Sequence, residues 1–184
     1  MKIKNYILLF VFMMGLGCND GFLDKIPDDQ LSDASFWSNS TDVEKYTNGI
    51  YRCLIAPVDD VILTDSYTDN AIPVHIHDPQ GAISSGSATS TNKFMANAWK
   101  QCYQGIRRCD VFFQNIDKVP MDAELKDRMI GEVEFLRAFF YATLLQRFGG
   151  VSILQAPLEL NEAIPPRETA ENTYAFIIDE LNKA

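Results

Sequence analysis

Apolar residues recur along this chain at the three-and-four spacing of helices, in four stretches. Thr41-Asp42-Val43-Glu44 reads as a capping box that starts the first helix. Val43, Tyr46, Ile50 and Leu54 then share one stripe, and Pro57 ends it. The second helix is expected from about Phe94 to Asp117, striped by Met95, Trp99, Cys102, Tyr103, Ile106, Cys109, Phe113 and Ile116. Pro120 separates it from a third, from Asp122 to Phe148, carrying Leu125, Met129, Val133, Leu136, Phe140 and Leu144. Glu124 and Arg128, four apart, support its exposed side, and Gly149-Gly150 supplies the stop. The fourth begins near Thr169 and is still periodic at Ala184 through Tyr174, Ile177, Ile178 and Leu181.

Two stretches read as non-helical. Residues 18–40 form a tether with Pro27 and several acids, ending in Phe36-Trp37. Residues 57–93 are polar, rich in Ser, Thr, Asp and Gly, with Pro73 and Pro79 as breakers. A loop of that length inside a compact domain marks a functional or disordered segment. The helix-turn-helix rhythm of 41–184 predicts an all-α domain of antiparallel, tetratricopeptide-like helix pairs with long polar loops, although no fixed repeat period is visible.

The extreme N-terminus follows a different pattern. Lys2 and Lys4 precede an uncharged run from Tyr6 to Leu16, too short for the ~20 helical residues that a membrane span needs. It reads as an export signal over 1–17. Gly15-Leu16-Gly17 before Cys18 resembles a lipobox, with the large aliphatic residue at −2 in place of −3. Cys18 is therefore the expected acylation site and new N-terminus, anchored in outer-membrane lipid because each buried CH₂ contributes about 0.8 kcal/mol. A secreted protein with a chance cysteine is the alternative.

Without the signal, 167 residues remain, enough for one domain or much of one, with 14 basic against 25 acidic residues and a net charge of −11. Such a chain repels phosphate backbones, so nucleic acid is not an expected partner. Cys53, Cys102 and Cys109 cannot all pair with one another. Cys102 and Cys109 lie about 10.5 Å apart along a helix, too far for a disulfide. They read as small buried apolar residues, with Cys53 as the possible bridge partner for either.

Candidate chemistry is sparse. Glu132 and Glu134 lie ~200° apart around a helix, so they cannot flank one substrate bond as a glycosidase pair does. Glu132 and Arg137 are expected to make structural contacts between helices instead. His75 and His77 share one side of any extended segment, but two loop ligands are too few for a zinc site, and no metal is expected. No nucleophile elbow, P-loop or dinucleotide fingerprint appears, so neither catalytic residues nor a cofactor are expected. Trp99, Tyr103, Phe135, Phe139 and Phe140 recur at helical spacing and read as core.

Several phrases stand in a specific order and spacing. They are Cys18-Asn19-Asp20-Gly21-Phe22-Leu23-Asp24, Asn48-Gly49-Ile50-Tyr51, and Trp99 with Tyr103, Ile106, Asp110 and Asn115. Gly131-Glu132-Val133-Glu134-Phe135-Leu136-Arg137-Ala138-Phe139-Phe140-Tyr141 follows, then Phe148-Gly149-Gly150-Val151 and Pro166-Arg167-Glu168-Thr169. Together they resemble the SusD/RagB family of nutrient-uptake lipoproteins. The resemblance implies a surface-exposed lipoprotein of the outer membrane that captures an oligosaccharide or peptide nutrient for a SusC-like TonB-dependent transporter. It also implies a chain roughly three times as long, of which this is the N-terminal part, as in a fragment or an interrupted gene. In the family the loop before the Trp-bearing helix contributes ligand contacts. Carried onto 57–93, that makes Tyr67 and Asn70 the candidate ligand residues. Rival readings are a helical scaffold lipoprotein without a small ligand and a surface glycoside hydrolase.

Overall fold

The computed structural model describes residues 36–54, 64–68, 70–71 and 79–184, with the side chains of Thr64, Tyr67 and Pro79 excepted. Trp37–Ala184 forms one unit. The first helix, α1 (Ser40–Tyr51), starts earlier than the capping-box reading. Asn39, in extended conformation, is the N-cap, and its Oδ1 accepts from the Asp42 amide at 3.1 Å. Asparagine outranks threonine at this position, and Asp42 locks the choice by accepting from both the Asn39 amide at 2.7 Å and the Ser38 hydroxyl at 2.9 Å. The Ser38 hydrogen bond also lowers the Asp42 pKa. Val43 and Ile50 are buried as expected, and a 3₁₀ turn, Arg52–Leu54, extends the helix. Pro57 lies outside the described residues.

Residues 57–93 are not wholly loop. A 3₁₀ turn spans Thr64–Tyr67, and it packs against a short helix, α2 (Pro79–Ser84). Pro79 begins that helix instead of breaking one. At the first helical position the missing N–H would have no intrahelical partner, and the fixed φ suits a helix.

The two long helices match expectation. Helix α3 (Lys93–Asn115) is capped by Asn92, whose Oδ1 accepts from Phe94 N at 3.1 Å and Met95 N at 3.3 Å. A 3₁₀ turn, Ile116–Lys118, completes it. Helix α4 (Ala123–Phe148) is capped by Asp122 and ends at Gly149, whose φ of 70° is the left-handed conformation that glycine adopts without strain. Met129, Val133, Leu136, Phe140 and Leu144 are buried along one stripe of α4 and face α3. The two run antiparallel, since Trp99 near the start of α3 meets Phe148 at the end of α4. They approach closely because position 105 is glycine: a Cβ there would stand 2.5 Å from the Phe140 ring. Cys102 and Cys109 are buried in this interface, as expected. Cys53 and Cys109 carry free thiols.

Helix α5 (Ala170–Lys183) packs antiparallel on α4. Tyr141 of α4 meets the Phe176 ring edge-on at 5.0 Å, while the far end of α5 reaches Gly131. Its buried stripe is Thr173, Ile177 and Glu180, whereas Tyr174, Ile178 and Leu181 are exposed. Of the four residues expected on its apolar stripe, Ile177 alone is buried. Hydropathy misplaces the stripe because two of its three members are polar and satisfied inside. Thr173 Oγ1 donates to Thr169 O at 2.9 Å and accepts from Val151 N at 3.3 Å, and Glu180 meets Arg137. The described residues are helical with no strand, and no helix among them is long and apolar enough to cross a membrane.

Candidate functional site

Loops gather at one end of this bundle. The segment containing the 3₁₀ turn and α2 leads into the N-terminus of α3, and residues 149–168 leave the C-terminus of α4 beside it. Half-buried Trp99 marks the junction, 4.9 Å from Tyr103 and 5.0 Å, edge-on, from Phe148. The Arg167 guanidinium lies 5.9 Å from the Trp99 ring centroid and ties off the end of α4. Its Nη2 donates to Phe148 O and its Nε to Gly150 O at 2.8 Å. That pairing places a cation on the carbonyl end of a helix, where the macrodipole favours it.

The 149–168 segment is held along α3 and α4 by further polar contacts. Tyr103 donates its hydroxyl to Ser152 O at 2.9 Å, Leu154 N donates to the Tyr141 hydroxyl at 2.8 Å, and Arg107 reaches Leu158 O at 2.9 Å. Burial raises the pKa of both tyrosines, so both stay protonated donors at neutral pH.

Within this region Asn70 is exposed, and its backbone N–H donates to Thr68 Oγ1 at 3.1 Å. Tyr67 closes the 3₁₀ turn, but its side chain lies outside the described residues. The structure therefore puts both residues in the loop region entering α3. Cys18, the 1–17 signal, most of the 18–40 tether, His75 and His77 also lie outside the described residues. Among the described residues no group of three His, Cys, Asp or Glu side chains could hold a metal.

A second polar assembly lies inside the bundle. Arg137 of α4 donates from Nη1 to Asp110 Oδ1 of α3 at 3.1 Å, and from Nε and Nη2 to Glu180 Oε2 of α5 at 2.5 Å. Its guanidinium lies 4.4 Å from the centroid of the Phe113 ring and 5.9 Å from that of Phe176, within reach of cation–π attraction. Burial disfavours its charge, but the Glu180 hydrogen bond and both carboxylates prevail and raise the Arg137 pKa. The expectation that Arg137 joins helices is met.

Glu132 does not do so. It pairs within α4 to Arg128 at 3.4 Å, a contact that takes Arg128 forward to Glu132 in place of back to Glu124. Phe135 (53% exposed) and Phe139 (38% exposed) are likewise not core. They lie on a side of α4 that its neighbours α1, α3 and α5 leave open, whereas Phe140, one residue on, is buried against α3. Trp99 and Tyr103 are half-buried. Asp110 and Glu180 were missed as interior residues. The available signal was a charge one helical turn from apolar neighbours, Ile106 for the first and Ile177 for the second.

Residues 21–184 match a family model described as SusD-like, starch-binding and associating with the outer membrane. A SusD-like protein of Bacteroides ovatus is 21% identical over 196 residues, covering all of this chain and 34% of the relative. One from Formosa agariphila is 25% identical and is covered to 38%. The chain thus spans about a third of the length of the curated relatives it matches. Among solved structures, a SusD-like protein of Bacteroides fragilis superimposes with a TM-score of 0.73 at 31% identity, covering 87% of this chain and 32% of that one. A SusD-like carbohydrate-binding protein of the same species gives 0.74 at 25% identity, covering 81% and 31%. A laminarin-binding SusD-like protein gives 0.72 at 22% identity, covering 80% and 34%, a likeness of fold. With a model match over nearly its whole length and a fold shared with these structures, the chain belongs to the SusD-like family.

Proposed function

We propose that this chain is the N-terminal part of an outer-membrane lipoprotein that captures a glycan, or another nutrient such as a peptide, for a SusC-like TonB-dependent transporter. The observation that carries the reading is the family match over residues 21–184. Residues 1–17 serve as the export signal, acylated Cys18 as the anchor, and 18–40 as the tether that holds the bundle at the cell surface. The clustering of two loop regions at one end of the helices supports a ligand face there, built on rigid elements as binding sites commonly are. Tyr67 supplies a ring that can stack on the C–H face of a sugar, and Asn70 an exposed amide for hydroxyls.

The reading is non-enzymatic. Asp110 and Glu180 are buried carboxylates engaged by one arginine, and Glu132 is paired on its own helix, so none forms an open acid/base pair. The exposed apolar side chains Phe135, Phe139 and Ile178 favour the scaffold reading as a second possibility, since such surfaces take up protein.

Expression in a lipoprotein-acylating bacterium tests the proposal. The wild type should incorporate alkyne palmitate, sediment with outer membranes and co-purify with a TonB-dependent transporter. Cys18→Ala should lose the label and the membrane fraction. In a protein of the relatives' full length, retention on immobilised glycans should fall in Tyr67→Ala. Labelling that survives in Cys18→Ala would overturn the anchor. Transporter recovery without any glycan or peptide retention would favour the scaffold.

A further inference from the structure

Where α3, α4 and α5 meet, one guanidinium serves two carboxylates, and it serves them unequally. Glu180 receives two Arg137 donors on Oε2, at 2.5 Å each, and Lys183 Nζ on Oε1 at 3.2 Å. Asp110 receives a single Arg137 donor on Oδ1 at 3.1 Å. Its Oδ2 is buried without a hydrogen-bond partner, and its side chain has no exposed surface. A bare carboxylate oxygen in the interior is costly, and a proton is the smallest ligand that removes the cost.

We propose that Asp110 is a proton-binding site that sets how firmly α5 is held against α3 and α4. With Asp110 protonated, Arg137 and Glu180 form a balanced pair across the α4–α5 contact. With Asp110 ionised, two carboxylates compete for Arg137, the one further cation at Glu180 being Lys183, itself shared with Asp179, and the attachment of α5 weakens.

The surroundings of Asp110 fit this role. On its own helix it has the exposed Arg107 and the thiol of Cys109, itself kept protonated by burial. From α4 come Arg137 and the phenol of Tyr141, a protonated group at neutral pH. From α5 comes Glu180, with Lys183 behind it shared with Asp179 at 2.5 Å. Glu134 of α4 faces Glu180 and Lys183. Burial pushes the Asp110 carboxyl up to about 6; Arg137 and, more weakly, Arg107 oppose the rise, and Glu180 adds to it.

The sign follows from linkage. A carboxyl whose folded pKa lies above its ordinary 3.8 favours the folded state when protonated. That contribution is fully present below the ordinary value and is lost as pH rises through about 6.

Carbon-13 NMR of the Asp110 carboxyl, assigned by its absence in Asp110→Asn, should show a midpoint near pH 6. Hydrogen exchange of the α5 amides, corrected for intrinsic rates, should show opening that grows up to about 100-fold from about pH 4 to pH 7, the factor that a two-unit shift carries. Asp110→Asn should flatten that dependence. Glu180→Gln leaves Arg137 to Asp110 and should lower the midpoint. Hydrogen exchange of the α5 amides in this second variant, whose pH dependence should move to lower pH, decides the matter even if Asp110→Asn does not fold. A carboxyl that titrates near 4, an α5 opening that is flat with pH in the wild type, or a midpoint unmoved in Glu180→Gln would each overturn the proposal.

Discussion

Helix α4 is gripped from two sides by different physics. Its contact with α3 is mainly apolar and shape-determined: Val133, Leu136, Phe140 and Leu144 meet Cys102, Ile106, Cys109 and Phe112, and Gly105 makes room for the Phe140 ring. Its contact with α5 has Arg137 and Glu180 at its centre, with Thr173 and Ile177 on the same stripe of α5. The apolar stripe gains from every buried methylene, and the one buried charged contact of α3 with α4, Asp110 with Arg137, belongs to the junction with α5. The polar contact fixes which residues meet, yet a buried ion pair repays its desolvation only where every partner is present. One interface should therefore erode by degrees under substitution, while the other should fail at a single position.

That position is Arg137, and it carries the largest expected effect. Arg137→Ala leaves Asp110 as an uncompensated interior carboxylate and Glu180 with the half-exposed Lys183 alone, and breaking a buried pair in this way costs about 3–5 kcal/mol. Denaturant melts at neutral pH check it. The contrast sharpens if Asp110→Leu and Glu180→Leu, added to Arg137→Leu, recover most of the loss, because apolar replacement of a whole buried ionic group is often neutral or stabilising. A loss under about 1 kcal/mol for Arg137→Ala would show the triad to be solvated and the contrast between the two faces to be false.

On the other face, Leu136 is 1% exposed at the centre of the α3–α4 stripe. Leu136→Ala should cost about 2–5 kcal/mol, the spread reflecting how far the neighbours close the cavity. Leu136→Met, which nearly conserves volume, should cost less than about 1.5 kcal/mol. Equal losses for the two would mean that the packing is looser than the burial of Leu136 and Phe140 indicates.

What the sequence made legible follows the same division. Helices α3 and α4 could be read closely because their buried stripe is apolar, and hydropathy periodicity reports that directly. Helix α5 was placed correctly as an element, but its buried side was misassigned. Thr173 and Glu180 are buried through partners twenty-two and forty-three residues away, Val151 and Arg137, which no local window sees. Phe135 and Phe139 failed for the complementary reason. Apolar character at helical spacing marks a capacity for burial, and whether a neighbour covers that side is a tertiary fact. Asn39 and Pro79 were misread because a stronger cap two residues upstream outcompetes Thr41, and because a proline at a helix start has the opposite effect of one within it. The proposed ligand face was reachable only through resemblance, since Tyr67 and Asn70 carry no periodic or motif signal of their own.

The smallest expected effect gives the sharpest check on the α5 assignment, because it compares adjacent residues of one kind. Ile177 is 5% exposed and faces α4, while Ile178, a hundred degrees further around the helix, is 39% exposed. Sequence hydropathy treats the two alike. Ile177→Ala removes buried methylenes beside Thr173 and Glu180 and should cost about 2 kcal/mol or more. Ile178→Ala removes atoms that already lie partly in water, and alanine's better helix propensity offsets part of what contact remains, so the change should stay within about 0.5 kcal/mol. Paired melts of the two variants under one set of conditions read the difference without any absolute stability. If the two losses were equal, the buried stripe would run through both isoleucines, as the spacing alone suggests. Glu180, about sixty degrees to the other side of Ile177, would then stand at the margin of the interface, and the charge-centred account of the α4–α5 contact would fall with it.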